Sequence, residues 1–239
     1  MISVVVPDTV KANIAEAGFN TTSRLFKEAY RYIVEGDILL SEEELKRLVS
    51  AKSDVVTRSA GDELYTTLVS GLPRELKIYV NAKINKEYTK ATEAALWRYN
   101  ALDLALRFTV VANSSLADIQ IEPSPDYYAD WEIYGTAGLP SNGGDPYPKI
   151  QLNTANYDTV GLNVLTTAIA HKIGHCIGLR HAISYYSQHG CHPVSTTYKS
   201  LAILGTAADS TAQSWMLPCP ENTNRPFTED DKVILKNIY

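Results

Sequence analysis

The amino-acid sequence predicts an α+β fold: a twisted mixed sheet with one long helix beside it, a second helix carrying histidines, and a loop-rich C-terminal part closed by a final helix. Three observations carry this. Strand-like runs cluster between Leu76 and Asn153 without a regular strand–helix alternation. Asn85 opens a long amphipathic stretch. Thr228-Glu-Asp-Asp231 reads as a capped helix start after a poorly patterned segment. With 239 residues, 45% of them hydrophobic, the chain can bury one large core or a medium one with a smaller companion.

Taken in order, Asp8 is expected to cap a short helix that ends at Gly18. Leu25, Phe26, Tyr30 and Ile33 then read as the apolar face of a helix from about Thr21 to Tyr32. Ser41-Glu-Glu-Glu44 is a capping box and starts a helix to about Leu48. Ala51 to Gly71 lacks a sustained period and reads as an exposed linker. Leu76 to Val80 alternates as a strand, and Tyr88, Ala91, Ala95, Leu96 and Tyr99 form the stripe of the long helix. Leu106–Val111, Asp118–Ile121 and Lys149–Asn153 are further strands, while Gly135 to Gly144 is loop by its Gly, Pro, Ser and Asn content. A helix is expected from about Gly161 to Ile177, and there is no internal repeat.

Net charge is −5. Residues up to Pro73 carry 8 Lys/Arg against 11 Asp/Glu, and the remainder 14 against 16. Neither part has a basic patch, which argues against nucleic acid or an anionic membrane as partner. No apolar run approaches a membrane span. Ile2 to Val6 is too short for a signal-peptide core.

The chemistry concentrates in one stretch. All five histidines lie between His171 and His192. His171 and His175, four apart, project from one helix face. Gly178 ends that helix through a positive φ, and the turn returns His181 to the same point. Three imidazoles around one site leave a fourth position open, as in a catalytic zinc centre, so Zn²⁺ is the expected cofactor. His189 and His192 flank Cys191 and are read as surface loop residues. The tryptophans 97, 131 and 215 are read as packing, and Tyr127, Tyr128 and Tyr134 as weaker cleft candidates among fifteen tyrosines.

The run His171-Lys-Ile-Gly-His175-Cys-Ile-Gly178-Leu-Arg-His181, with Met216 downstream, resembles the metzincin signature H-E-x-x-H-x-x-G-x-x-H with its Met-turn. The ending Ser214-Trp-Met216 to Phe227-Thr-Glu-Asp-Asp-Lys and Tyr239 narrows the resemblance to the bacterial dual-action HEIGH metallopeptidases. The likeness covers Leu76 to Tyr239 and is most specific over the eleven residues of the zinc motif. It implies a zinc endopeptidase acting on proteins or extended peptides, secreted, with its signal absent from this sequence. His171, His175 and His181 carry over as metal ligands, and Met216 and Gly178 as structural residues. Gly135, Thr136, Ala137, Gly138 and Leu139 are implied as a strand edge along the substrate cleft. The catalytic position that should hold the general-base glutamate is Lys172. An ammonium has no lone pair to take a proton, and its charge opposes a neighbouring cation, so the chain is expected to be inactive. Pro218 stands where some astacins place a tyrosine ligand, and Ala182 follows the third histidine, so the chain is not a true astacin.

Astacin pro-segments carry an F-x-G-D motif whose aspartate fills the open zinc position. Val34-Glu-Gly36-Asp37 is one residue off that pattern. The resemblance therefore implies residues 1–72 as a small helical pro-segment that inhibits its own 73–239 peptidase domain, with Asp37 as the metal ligand of the latent form. An ordinary Gly-Asp turn is the alternative. A cysteine switch from the front is excluded, because no cysteine precedes Cys176. Three cysteines allow one disulfide, Cys191 with Cys219 favoured, or three buried thiols. Two function classes follow: a zymogen of a zinc endopeptidase, or a non-catalytic peptide-binding pseudoprotease.

Overall fold

The computed structural model describes residues 5–21, 24–53, 67–181, 213–218 and 223–239. Its centre is an eight-stranded mixed sheet of order β1-β2-β3-β7-β8-β6-β4-β5. The strands are β1 (Phe26–Glu28), β2 (Arg31–Val34), β3 (Ile38–Ser41), β4 (Arg74–Val80), β5 (Leu106–Val110), β6 (Ile119–Pro123), β7 (Gly135–Gly138) and β8 (Lys149–Leu152). The helices are α1 (Asp8–Glu16), α2 (Glu42–Ser53), α3 (Lys86–Asn100), α4 (Tyr127–Asp130), α5 (Thr154–Tyr157), α6 (Leu162–Cys176) and α7 (Glu229–Ile238). None of the described helices is long and apolar enough to cross a membrane.

The caps behave as their side chains dictate. Asn85 accepts the backbone N–H of Glu87 at the start of α3. Ser41 and Glu44 exchange side-chain and backbone bonds at 3.1 and 2.7 Å ahead of α2, and Thr228 and Asp231 do the same for α7. Asp8 departs from expectation: Pro7 holds the cap position, and Asp8 is the first helical residue. The helix closes as expected, with Gly18 at φ +83.

Beneath the sheet, α3 and α6 pack together, and the Tyr99 hydroxyl donates to the Ala170 carbonyl across 2.7 Å. Leu76, Ile78, Ile119, Ile121 and Ile150 from the strands meet Ala91, Ala95, Ile169 and Ile173 from these helices in the main core. A second core joins Ile14 and Phe19 to Tyr32, Val34, Ile38 and Leu40.

The front of the chain is not the small helical unit expected. The predicted helix over residues 21–32 is replaced by β1, a turn through Ala29 at φ 50, and β2. Val34 faces the second core while Ile33 joins Leu39, Tyr128 and Ile133 on the other side. A strand buried on both faces shows no alternation, so its apolar run imitates a helix face. The expected linker over 51–71 does not hold at its ends: α2 continues to Ser53, and Val69 is buried, with Ser70 N–H donating to the Gly144 carbonyl; residues 54–66 lie outside the described residues.

Gly135–Gly138 is strand, not loop. β7 pairs antiparallel with β8 and parallel with β3, in register Ile38↔Ala137 and Leu39↔Gly138. The glycines answer crowding: a Cβ on Gly135 would lie 2.6 Å from the Gln151 carbonyl, and one on Gly138 would lie 2.4 Å from the Tyr147 ring.

Candidate metal centre

Helix α6 fixes the first two histidines. Its last turn presents His171 and His175 on one face, both buried, with ring centroids 4.5 Å apart. Gly178, at φ +111, turns the chain back, and an added Cβ there would strike the Thr67 carbonyl at 2.3 Å. That turn brings His181 to its partners: His171 Nε2 lies 2.9 Å from His175 Nε2 and 3.2 Å from His181 Nε2.

Asp37 arrives from the loop between β2 and β3. Its Oδ2 is 2.9 Å from His171 Nε2, 3.4 Å from His175 Nε2 and 3.2 Å from His181 Nε2. All four residues are buried, and their ligand atoms lie within 4.8 Å of one another. Gly36 takes φ +87, and a Cβ on it would meet Arg24 Nε at 2.9 Å, so the close approach it permits is to Arg24.

The outer nitrogens are committed elsewhere. Nδ1 of His171 meets the Trp215 carbonyl, Nδ1 of His175 the Leu179 carbonyl and Nδ1 of His181 the Glu35 carboxylate, each at 2.8 Å. Carbonyl and carboxylate oxygens only accept, so each Nδ1 carries its proton, and with a metal bound each ring, then neutral, would turn a lone pair inward from Nε2. Three such nitrogens and a carboxylate converging on one point make a donor set for a cation. Four donors each about 2.0–2.1 Å from a tetrahedral zinc would be about 3.3 Å apart, close to the five distances of 2.9–3.4 Å given above. Asp37 Oδ1 is buried, 3.1 Å from His181 Nε2, and makes no hydrogen bond among the described residues. The donor set therefore fits a zinc ion, and the outer bonds hold the rings as metal-binding imidazoles are usually held.

Lys172, next to His171 on α6, is also buried, at 1% exposure. Its Nζ donates to Asp37 Oδ2 at 2.5 Å. Burial pushes the Asp37 carboxyl upward, but His181, Lys172 and His175 around it hold it well below the usual carboxylate range. Burial takes His171 well below the ordinary imidazole value and lowers His175 as well. His181 goes the other way, to about 9: burial lowers it, and Asp37 and Glu35 on its two nitrogens outweigh that.

Below the histidines, Ser214, Trp215 and Met216 form a buried floor. Gly174 leaves room for Met216, whose sulfur would lie 2.5 Å from an added Cβ. The Ser214 hydroxyl accepts the Met216 N–H at 3.1 Å.

Around the rim the expectations divide. Ala137 and Leu139 are buried, and the strand edge expected to receive a peptide already pairs with β3 of the same chain. Tyr134 lines a small cavity with Asp37, Lys172 and Pro218. Tyr127 and Tyr128 instead donate to the buried Glu28 carboxylate of β1 at 2.6 and 3.0 Å, and Trp131 stacks on Phe26 at 5.4 Å. Trp215 is buried as expected, whereas Trp97 is 71% exposed. Cys191, Cys219, His189, His192 and Ala182 lie outside the described residues, and Cys176 is a buried free thiol. Glu35 and the Trp215 and Leu179 carbonyls were not legible as site groups. Backbone oxygens leave no trace in residue type, and the only signal for Glu35 was its place beside Gly36-Asp37.

A search of curated protein sequences returned no match. Among solved structures the chain is similar to myroilysin, at 11% identity over 72% of this chain and 85% of that one, with a TM-score of 0.48. It is also similar to high choriolytic enzyme 1, a hatching enzyme zinc-protease from Oryzias latipes (medaka fish), at 12% identity over 75% and 96% of the two chains, with a TM-score of 0.42. The model of the dual-action HEIGH metallo-peptidases matches residues 32–239, a span that includes the three histidines and Asp37. With a buried Asp–His₃ group suited to Zn²⁺, the chain belongs to the dual-action HEIGH metallo-peptidase family.

Proposed function

We propose that this chain is the latent precursor of a secreted zinc endopeptidase. His171, His175 and His181 serve as metal ligands, Asp37 is the fourth ligand of the shut form, and Lys172 withholds catalysis. The observation that carries this reading is the convergence of one Asp37 oxygen on all three Nε2 atoms, at 2.9, 3.4 and 3.2 Å. Residues 1–72 act as inhibitor in cis, and 73–239 as the peptidase domain.

A zinc ion held by these residues supplies a Lewis acid for a peptide carbonyl and for a water nucleophile. The chain's own residues govern access to it. Asp37 takes the coordination position that a substrate or water needs. β3 lies along β7 as a pseudo-substrate, so an extended peptide at Gly135–Leu139 must displace it. Lys172 occupies the place from which a carboxylate would accept the nucleophile's proton. Its ammonium only donates, and it is already committed to Asp37.

The test is metal analysis of the purified chain together with proteolysis of casein. One zinc per chain and no cleavage are expected, with cleavage appearing in the Lys172→Glu, Asp37→Ala double variant. Zinc-dependent cleavage by the unaltered chain would sink the reading. A zinc-loaded, folded double variant that binds peptides but never cuts them would instead establish a peptide-binding pseudoprotease, which the burial and pairing of Lys172 favour.

A further inference from the structure

The three histidines are not held alike. His171 and His175 sit on a rigid helix, and their outer nitrogens meet carbonyls of the peptidase part, Trp215 and Leu179. His181 lies beyond the helix, after Gly178, and its outer nitrogen meets a residue of the front segment. Glu35 is fixed for that contact. It takes φ 55, a left-handed conformation that a non-glycine residue adopts at a cost, and Gly36 follows at φ +87. One carboxylate oxygen accepts the Asn20 N–H at 2.9 Å and the other faces His181 Nδ1 at 2.8 Å. His181 is thus gripped on Nδ1 by Glu35 and on Nε2 by Asp37, two residues apart in the same loop.

The neighbouring residue is held from the same side. The Arg180 guanidinium lies 3.8 Å over the Phe19 ring and donates to the carbonyls of Ala17 and Gly18. The segment that carries the third histidine is therefore positioned by the turn after α1 and by the β2–β3 loop.

We propose that Glu35 is a positioning residue for His181, so that the front segment completes the metal site from outside the peptidase part as well as blocking it. This rests on the assignment of the three histidines as ligands. Metal binding and front-segment docking are then reciprocally coupled: each favours the other by the same factor. Loss of the front segment releases the third ligand's ring from its outer partner and loosens the metal.

The test uses the full chain and titrates Zn²⁺ against a competing chelator, with Co²⁺ absorption as a spectroscopic readout of the coordination. Glu35→Ala should weaken zinc binding by roughly 10–100-fold, the usual effect of losing an outer-shell partner, and should alter the Co²⁺ bands. Glu35→Gln keeps an acceptor for Nδ1–H and should recover most of that affinity. Melting of the metal-free proteins separates a folding defect from a site effect. If Glu35→Ala does not fold, Glu35→Gln decides, with a loss above about threefold expected because its acceptor is uncharged. Affinity and Co²⁺ bands unchanged in whichever variant decides would overturn the proposal. Asp37→Ala is the control. If it leaves the coordination untouched while Glu35→Ala weakens it, the aspartate-ligand reading falls and the positioning role stands. If the unaltered chain binds no zinc, both fall.

Discussion

Asp37→Ala and Lys172→Met remove opposite ends of one buried ion pair, and the structure says they will not cost the same. The pair spans 2.5 Å, with side-chain exposures of 8% and 1%. Without Asp37, the Lys172 ammonium stays buried with its counter-charge gone. Breaking a buried pair in this way typically costs about 3–5 kcal/mol. Without Lys172, Asp37 keeps the protonated His181 ring at 3.1 Å, and methionine fills most of the lysine's volume. The cost of Lys172→Met should therefore be no more than about 1–2 kcal/mol, within the range for losing one charged hydrogen bond. For a domain of this size 1 kcal/mol moves Tm by about 2–4 °C, so Asp37→Ala should lower it by roughly 6–20 °C. In the double variant no charge is stranded, and it should be more stable than Asp37→Ala alone, by about 0.5–3 kcal/mol of coupling. The assay is urea unfolding with chelator present, followed by two probes to check for a single transition. Equal costs for the two single variants, or a double variant less stable than Asp37→Ala, would refute the pairing.

Lys172→Met should bind Zn²⁺ at least about tenfold more tightly than the unaltered chain, because a unit charge within several ångströms of the metal is worth more than 1.4 kcal/mol; chelator competition reads this directly. Gly178→Ala forces an L-residue to φ +111 against the Thr67 carbonyl and should cost about 2–4 kcal/mol, seen as a fall in Tm. Gly174→Ala drives a methyl toward the Met216 sulfur and should cost about 1–3 kcal/mol; an unchanged Tm would remove Met216 from the floor of the site. Glu28→Ala removes the carboxylate that Arg31 and two tyrosine hydroxyls share, and should destabilise by about 1–3 kcal/mol while leaving zinc affinity within about twofold.

What could be read from the sequence follows from how locally each feature is determined. Helix α6 and its turn were legible because a four-residue spacing, a glycine and a third histidine are set by backbone geometry within eleven residues. Strands β4 to β6, helix α3 and the cap at Thr228 were legible because each has one dry face and one wet face or a local hydrogen bond. The front strands were not. Tyr32, Ile33 and Val34 are all buried because β2 lies between two separate cores, a fact that no window of sequence contains. β7 was hidden for the opposite reason: its glycines signal a loop by composition, yet they are there because Gln151 and Tyr147 press against the strand. Glu35 sat in plain view beside Asp37, but its role depends on a histidine 146 residues away.

On the proposed reading, the same lysine accounts for a latent site that keeps its form. A glutamate at position 172 would bring a second carboxylate to Asp37 Oδ2, where an ammonium now lies at 2.5 Å, and like charges buried together disfavour one another. The aspartate would then be held by the metal alone, and the front segment would be easier to expel. With lysine, Asp37 also has the ammonium as a partner, and that hold does not depend on zinc. On the proposed reading, removing the base and tightening the latch are therefore one substitution seen from two sides. Lys172→Glu should restore proton transfer and weaken latency together, so proteolysis should appear in that single variant before Asp37 is touched, and front-segment release should precede it in time.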